Sequence, residues 1–178
     1  MNLWHHTWEL IKIGYNSLFK SPNGYGNNKI PGLITYLGIP LLIIIGSIYF
    51  NVTIHESLVS DILTVLSIFL AITLGVIFIV PDKLSKRLES DSSTNESDVN
   101  SRVRYKNFCR LFIQRLSFIL ILSVVLIILT IIMQILPNSC EVILSSLIFG
   151  LFALSILGIL KLIIDIYIFL IDDINNCN

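Results

Sequence analysis

The sequence predicts an all-α integral membrane protein: a four-helix bundle made of two transmembrane hairpins, preceded by an N-terminal amphipathic helix in the membrane interface. Three observations lead there. Of 178 residues, 54% are hydrophobic and 13% charged, with a mean hydropathy of +0.84; soluble chains run about 25% charged and could not hide this much apolar surface in so small a fold. Uncharged apolar runs of roughly the 20 residues needed to cross hydrocarbon occur four times, at 31–50, 62–80, 116–136 and 142–160. The segments joining them differ sharply in Lys and Arg content.

Residues 1–20 form the first element. Trp4, Trp8, Ile11, Tyr15 and Leu18 recur at three- and four-residue steps, with His5, Glu9, Lys12, Asn16 and Lys20 opposite them. A helix with this stripe lies in the interface, anchored by Trp4, Trp8, Ile11 and Tyr15. No Lys or Arg precedes the first apolar residues and no small-residue cleavage pattern follows, so the segment is expected to be retained. His5 and His6 point about 100° apart on a helix and make a poor metal pair. No CxxC or Cys/His spacing occurs elsewhere, and neither metal nor cofactor is expected.

Residues 21–80 are the first hairpin. A polar run at 21–28 turns the chain into the bilayer, Pro31 suits a first helical turn, and Pro81 follows the second run. Pro40 lies inside the first run; lacking a backbone donor, it predicts a bend near Leu37 or Gly38. In the second run Ser67, Ala71 and Gly75 form a small-xxx-small ridge, and Ser146, Gly150 and Gly158 repeat the idea in the fourth. Such ridges let helix backbones approach closely, within the bundle or between copies of a homo-oligomer.

Residues 81–111 read as a cytoplasmic charged loop. Its centre, 90–98, lacks the apolar residues needed to order itself. Beyond it Arg102, Arg104, Lys106 and Arg110 form a basic collar that extends the third helix among anionic headgroups. Residues 112–178 are the second hairpin with a cytoplasmic helix extension and tail. If it folds about Asn138 and Ser139, Arg115 lies level with Leu162, and Arg115, Lys161 and Asp165 gather as a charge cluster at the inner boundary. The fourth helix stays apolar from Val142 to Ile171, about 45 Å at 1.5 Å per residue. It therefore tilts or projects an apolar end inward.

Orientation follows from charge. Short loops rich in Lys and Arg stay inside; here the segment before the first run holds Lys12, Lys20 and Lys29, and the 81–111 loop seven more, whereas the other two turns hold none. Both termini are expected in the cytoplasm, at the cell membrane. All 12 basic residues then fall on the inner side or its boundary, and only Glu56, Asp61 and Glu141 of the 12 acids lie outside. The formal net charge of zero conceals this asymmetry. Cys140 is expected outside, Cys109 and Cys177 inside.

The residue chemistry points away from an enzyme: no HExxH, P-loop or Gly-x-Ser-x-Gly occurs, and the midplane carries only groups such as Ser67, Thr73, Ser123 and Thr130. Beyond membrane lipids, the expected partner is a cytoplasmic protein rather than nucleic acid. The order of elements, with the loop Tyr25-Gly26-Asn27-Asn28-Lys29-Ile30-Pro31, resembles small four-span prokaryotic membrane proteins that accompany phage-defence or CRISPR nucleases. The resemblance covers most of the chain by layout and carries over no catalytic signature. It implies an accessory or regulatory role toward a partner, with an oligomeric pore or holin-like effector as the alternative.

Overall fold

The computed structural model describes residues 3–19, 32–90, 96–135 and 141–176. They form five helices with no strand among the described residues: α1 (Leu3–Ser17), α2 (Ile34–Tyr49), α3 (Glu56–Ser90), α4 (Glu96–Ile135) and α5 (Glu141–Asn176). Three of them are long and apolar enough to cross a bilayer, over Ser57–Gly75, Lys106–Ile135 and Glu141–Ile168, and the protein is accordingly a helical membrane protein. The fourth apolar helix, α2, is shorter, about 24 Å against a hydrocarbon core of about 30 Å.

Within α2 the five residues Ile34–Gly38 form a π-helical turn that runs straight into the α-helix Ile39–Tyr49, with the Ile39 N–H donating to the Ile34 carbonyl. Pro40 explains it. Its ring has no N–H and would crowd the carbonyl four residues back; one extra residue in the preceding turn moves that carbonyl away. The irregularity thus falls at Leu37 and Gly38, as a widened turn. The chain leaves α2 through Asn51, whose φ of 49° is one that Asn tolerates better than most residues.

The helices form an open row in which α2 lies on α5, α5 on α4 and α4 on α3, with α1 laid across α4. Among the described residues α2 and α3 do not touch. The expected first hairpin is therefore a hairpin in chain order only, and the antiparallel pair α4–α5 is the spine. Gly150 decides where α2 goes, because a Cβ there would collide with Ile44 and lie 3.2 Å from the Pro40 carbonyl. At the end where short turns join the helices, Ile54, Val59, Ile62 and Leu66 pack with Leu126 of α4 and Ile148 of α5. The Ile54 N–H donates to the Ser145 hydroxyl at 3.3 Å.

Length is the other departure from expectation. At 35, 40 and 36 residues, α3, α4 and α5 measure about 52, 60 and 54 Å, nearly twice the hydrocarbon core. The 81–111 segment read as a loop is helical up to Ser90 and again from Glu96, with Pro81 inside α3; residues 91–95 lie outside the described ones. Leu84, Lys86, Arg87, Leu88 and Glu89 are good helix formers, so charge ends the apolar run without ending the helix. The apolar spans occupy the ends of these helices away from Lys106 and Arg110, so the excess length falls at the end that carries those two residues.

Candidate functional site

Arg115 lies about 20 residues from the end of α4, and Lys161 about 20 residues from the start of α5. Each therefore sits roughly 30 Å, one hydrocarbon thickness, from the turn between these helices. Antiparallel pairing brings Arg115 and Asp165 into an ion pair whose side chains are only 2% and 1% exposed. Lys161, one turn before Asp165, places Nζ 3.0 Å from Asp165 Oδ1 and keeps 23% of its side chain exposed, as a lysine reaching toward water does. The trio carries one net positive charge. Phe112, Leu116, Ile119 and Leu162 form an apolar cluster in this half of the α4–α5 interface.

A fourth partner comes from α1. Arg115 Nε and Nη2 donate to the Ser17 carbonyl at 3.0 and 2.6 Å. Ser17 is the last residue of α1 and is 1% exposed. A helix leaves its final carbonyls unpaired and carries partial negative charge there. Here Leu18 N–H serves Tyr15, Phe19 N–H serves Asn16, the Ser17 hydroxyl serves Gly14, and the last acceptor is served by a guanidinium 98 residues away in the chain. Arg115 thus ties three elements together.

Close approach makes this bond possible. A Cβ on Gly14 would stand 2.5 Å from Phe118 Cβ and 3.2 Å from the Gln114 carbonyl, so the backbone of α1 rests directly on α4. Leu18 joins Phe118 and Leu122 in a buried cluster, with Ile11, Tyr15 and Tyr36 packed around it. Burial pushes the Tyr15 phenol above its ordinary range, and its hydroxyl has no hydrogen-bond partner among the described residues.

The residues singled out in the sequence fare differently. Arg115, Lys161 and Asp165 come together as described. Ile11 and Tyr15 are half-buried against protein, whereas Trp8 is 67% exposed; α1 docks through the Gly14, Ser17 and Leu18 flank and turns Trp8 outward. The side chain of Trp4 lies outside the described ones, as do those of Arg102 and Arg104, while Lys106 and Arg110 are exposed. Gly150 and Gly158 meet neighbours, Ile44 and Ile119 respectively. Ser146 is buried and bonds its own helix at the Val142 carbonyl. Ser67, Ala71 and Gly75 are exposed, with nothing within 4 Å of a Cβ on Gly75; among the described residues that ridge packs on no other helix, because α3 buries the opposite face through Val59, Ile62, Leu66 and Thr73. Cys109 is buried, and Cys140 and Cys177 fall outside the described residues.

The buried Ser145 hydroxyl donates to Met133 Sδ at 3.5 Å across the α4–α5 interface, whereas three others are spent locally. Ser123, Thr130 and Ser155 each donate to the carbonyl four residues back. No group of three or more His, Cys, Asp or Glu that could hold a metal occurs among the described residues. Comparison with known proteins returns no matching family model, no matching curated protein and no matching solved structure.

Gly14 and Ser17 escaped the sequence reading, which weighed hydropathy and charge. A faint signal existed: an isolated Gly inside a helical pattern costs stability unless something packs against it.

Proposed function

We propose that the protein is a non-enzymatic, multi-pass protein of the cell membrane with both termini in the cytoplasm, acting as an accessory or regulatory subunit for a cytoplasmic protein partner. The observation that carries this reading is the projection of α3, α4 and α5 well beyond one hydrocarbon thickness at the basic end, where Lys106 and Arg110 are exposed. Short basic segments face the cytoplasm, and helices kept long outside lipid form a rigid surface for a protein rather than for headgroups alone. In this arrangement α2 crosses as a fourth span, with Gly32, Leu33 and local thinning of the bilayer making up its length. A role beside a phage-defence nuclease rests on the resemblance in layout alone.

The second reading, an oligomeric pore or holin-like effector, is favoured by one observation, the outward-facing ridge of Ser67, Ala71 and Gly75, which suits close packing between copies. Dye-loaded vesicles separate the two. The accessory reading predicts that purified protein leaves them sealed, and that replacing Arg102, Arg104 and Lys106 with Gln abolishes cellular activity without changing membrane permeability. Leakage by the protein alone favours the pore.

A further inference from the structure

Arg115 and Lys161 set two cations against the single carboxylate of Asp165, and the surplus positive charge has a definite place. The guanidinium is directed inward, to Asp165 and to the Ser17 carbonyl, and Arg115 and Asp165 are both 1% exposed. Lys161 is the member of the trio that reaches the surface. An ammonium offers three donors, so its contact with Asp165 Oδ1 leaves room for a second acceptor. Charge held at the edge of hydrocarbon is costly unless something negative meets it. Depth and surroundings say what that anion is attached to. Ile44 lies at Gly150 and Ile54 at Ser145, so α2 runs antiparallel to α5. Leu33 and Lys161 are equally far along from the Gly150 crossing, which brings the start of α2 roughly level with the ammonium. The surface there is apolar and open, since Leu160 and Ile164 of α5 and Leu33 and Ile34 of α2 are all exposed. Lys161 is thus a cation set among lipid-facing side chains, one hydrocarbon thickness from the turn between α4 and α5. Its Nζ bends a further turn along α5 toward Asp165, into the layer of lipid phosphates.

We propose that Lys161, backed by the Arg115–Asp165 pair, binds the phosphate of an anionic phospholipid in the leaflet at the Lys106 and Arg110 end, with the acyl chains against Leu160, Ile164 and Leu33. Basic sites between membrane helices take such headgroups. A phosphodiester carries one negative charge and cancels the one surplus positive charge of the trio. A zwitterionic headgroup brings its own ammonium and gains less. Asp165 holds the Lys161 ammonium in place, and Arg115 keeps that carboxylate from neutralising Lys161 by itself. The site differs from the basic collar, where Lys106 and Arg110 stand exposed on α4 and attract any anionic surface without selecting a position. The inference needs no protein partner and holds whichever face of the membrane is cytoplasmic.

Native mass spectrometry of the full chain released from detergent counts bound lipids directly. Phosphatidylglycerol should occupy its first site on the unmodified protein about fivefold more tightly than phosphatidylcholine does, the preference expected of one cation at a headgroup. Lys161→Gln leaves the Arg115–Asp165 pair neutral and should remove that preference. Lys161→Arg keeps the charge and should hold the first phosphatidylglycerol within about twofold. A chain carrying both Lys106→Gln and Arg110→Gln should lose later-bound phosphatidylglycerol and keep the first. Glycerol 3-phosphate, which lacks acyl chains, should not displace the lipid at equal concentration. Equal first-site binding of the two lipids to the unmodified protein overturns the proposal without recourse to any variant. So does a preference that survives Lys161→Gln, or one lost only when Lys106 and Arg110 are replaced. Displacement by glycerol 3-phosphate overturns the lipid assignment in favour of a small free anion.

Discussion

Arg115 serves both the Asp165 carboxylate and the Ser17 carbonyl, and this decides how charge reversals behave. Breaking a buried ion pair costs about 3–5 kcal/mol, and a reversal at either position also sets like charges together out of water, which Lys161 offsets only in part where it meets Asp165. Arg115→Asp and Asp165→Arg should each lower unfolding stability in detergent by about that amount. The double reversal restores an ion pair between α4 and α5, yet it also sets a carboxylate against the Ser17 carbonyl, so rescue should be partial, with α1 left undocked. Full rescue, or none, in a chemical-denaturation assay would contradict the geometry. Gly150 and Gly75 make a paired test. Gly150→Ala drives a methyl into Ile44 and Pro40 and should destabilise by about 1–3 kcal/mol, the usual effect of overpacking. Gly75→Ala points into open space and should leave the monomer unchanged or slightly more stable, as read by thermal unfolding.

At the scale of elements, α2 shows how one residue sets local geometry. Pro40 is accommodated by the π-turn Ile34–Gly38, and that extra residue rotates everything before it by about one residue's turn, 100°. Tyr36, which packs near Leu18 and Phe118, owes its direction to that rotation. Pro40→Ala allows the turn to relax to a regular α-helix, carrying Tyr36 away from α1. Hydrogen exchange in nanodiscs should then show stronger protection of the 34–39 amides and weaker protection in α1; unchanged exchange in both would separate the π-turn from the docking of α1. The α3 ridge teaches the complementary lesson. Its four-residue step is that of Ser146 and Gly150 in α5, with Gly158 two such steps on, yet of the ridge glycines Gly150 and Gly158 meet neighbours and Gly75 does not. A run of small residues says that a face permits close approach, not which surface approaches it.

For the whole molecule, orientation is the property with most consequence, and the structure changes how it should be measured. A membrane-impermeant thiol reagent on intact cells should label Cys140 if both termini are cytoplasmic. Absence of label at Cys109 decides nothing, since that side chain is only 2% exposed and would resist reagent on either side. Lys106→Cys, exposed on the same helix, is the informative position: it should react only after the cells are opened. Reaction at position 106 in intact cells, with Cys140 silent, inverts the topology. The shape matters equally. An open row, with α2 and α3 at its two ends, leaves much of each helix facing lipid, visible in the exposure of Leu42, Ile45, Ile68 and Ile72.

By itself the sequence determined the helical class, the apolar runs and the gathering of Arg115, Lys161 and Asp165. These depend on quantities local to the chain: the length of an uncharged stretch, the lysines and arginines beside it, and the level two residues reach when a short turn folds one helix back on the next. Only the tertiary structure decided that α2 leaves α3 and packs on α5, that the charged segments continue as helix, that α1 docks by its Gly14 flank, and that a backbone carbonyl at Ser17 completes the charge cluster. Hydropathy is blind to all four. A carbonyl is present at every residue and a glycine shows no preference for a partner, so their roles arise only when another helix comes within a methyl group's reach.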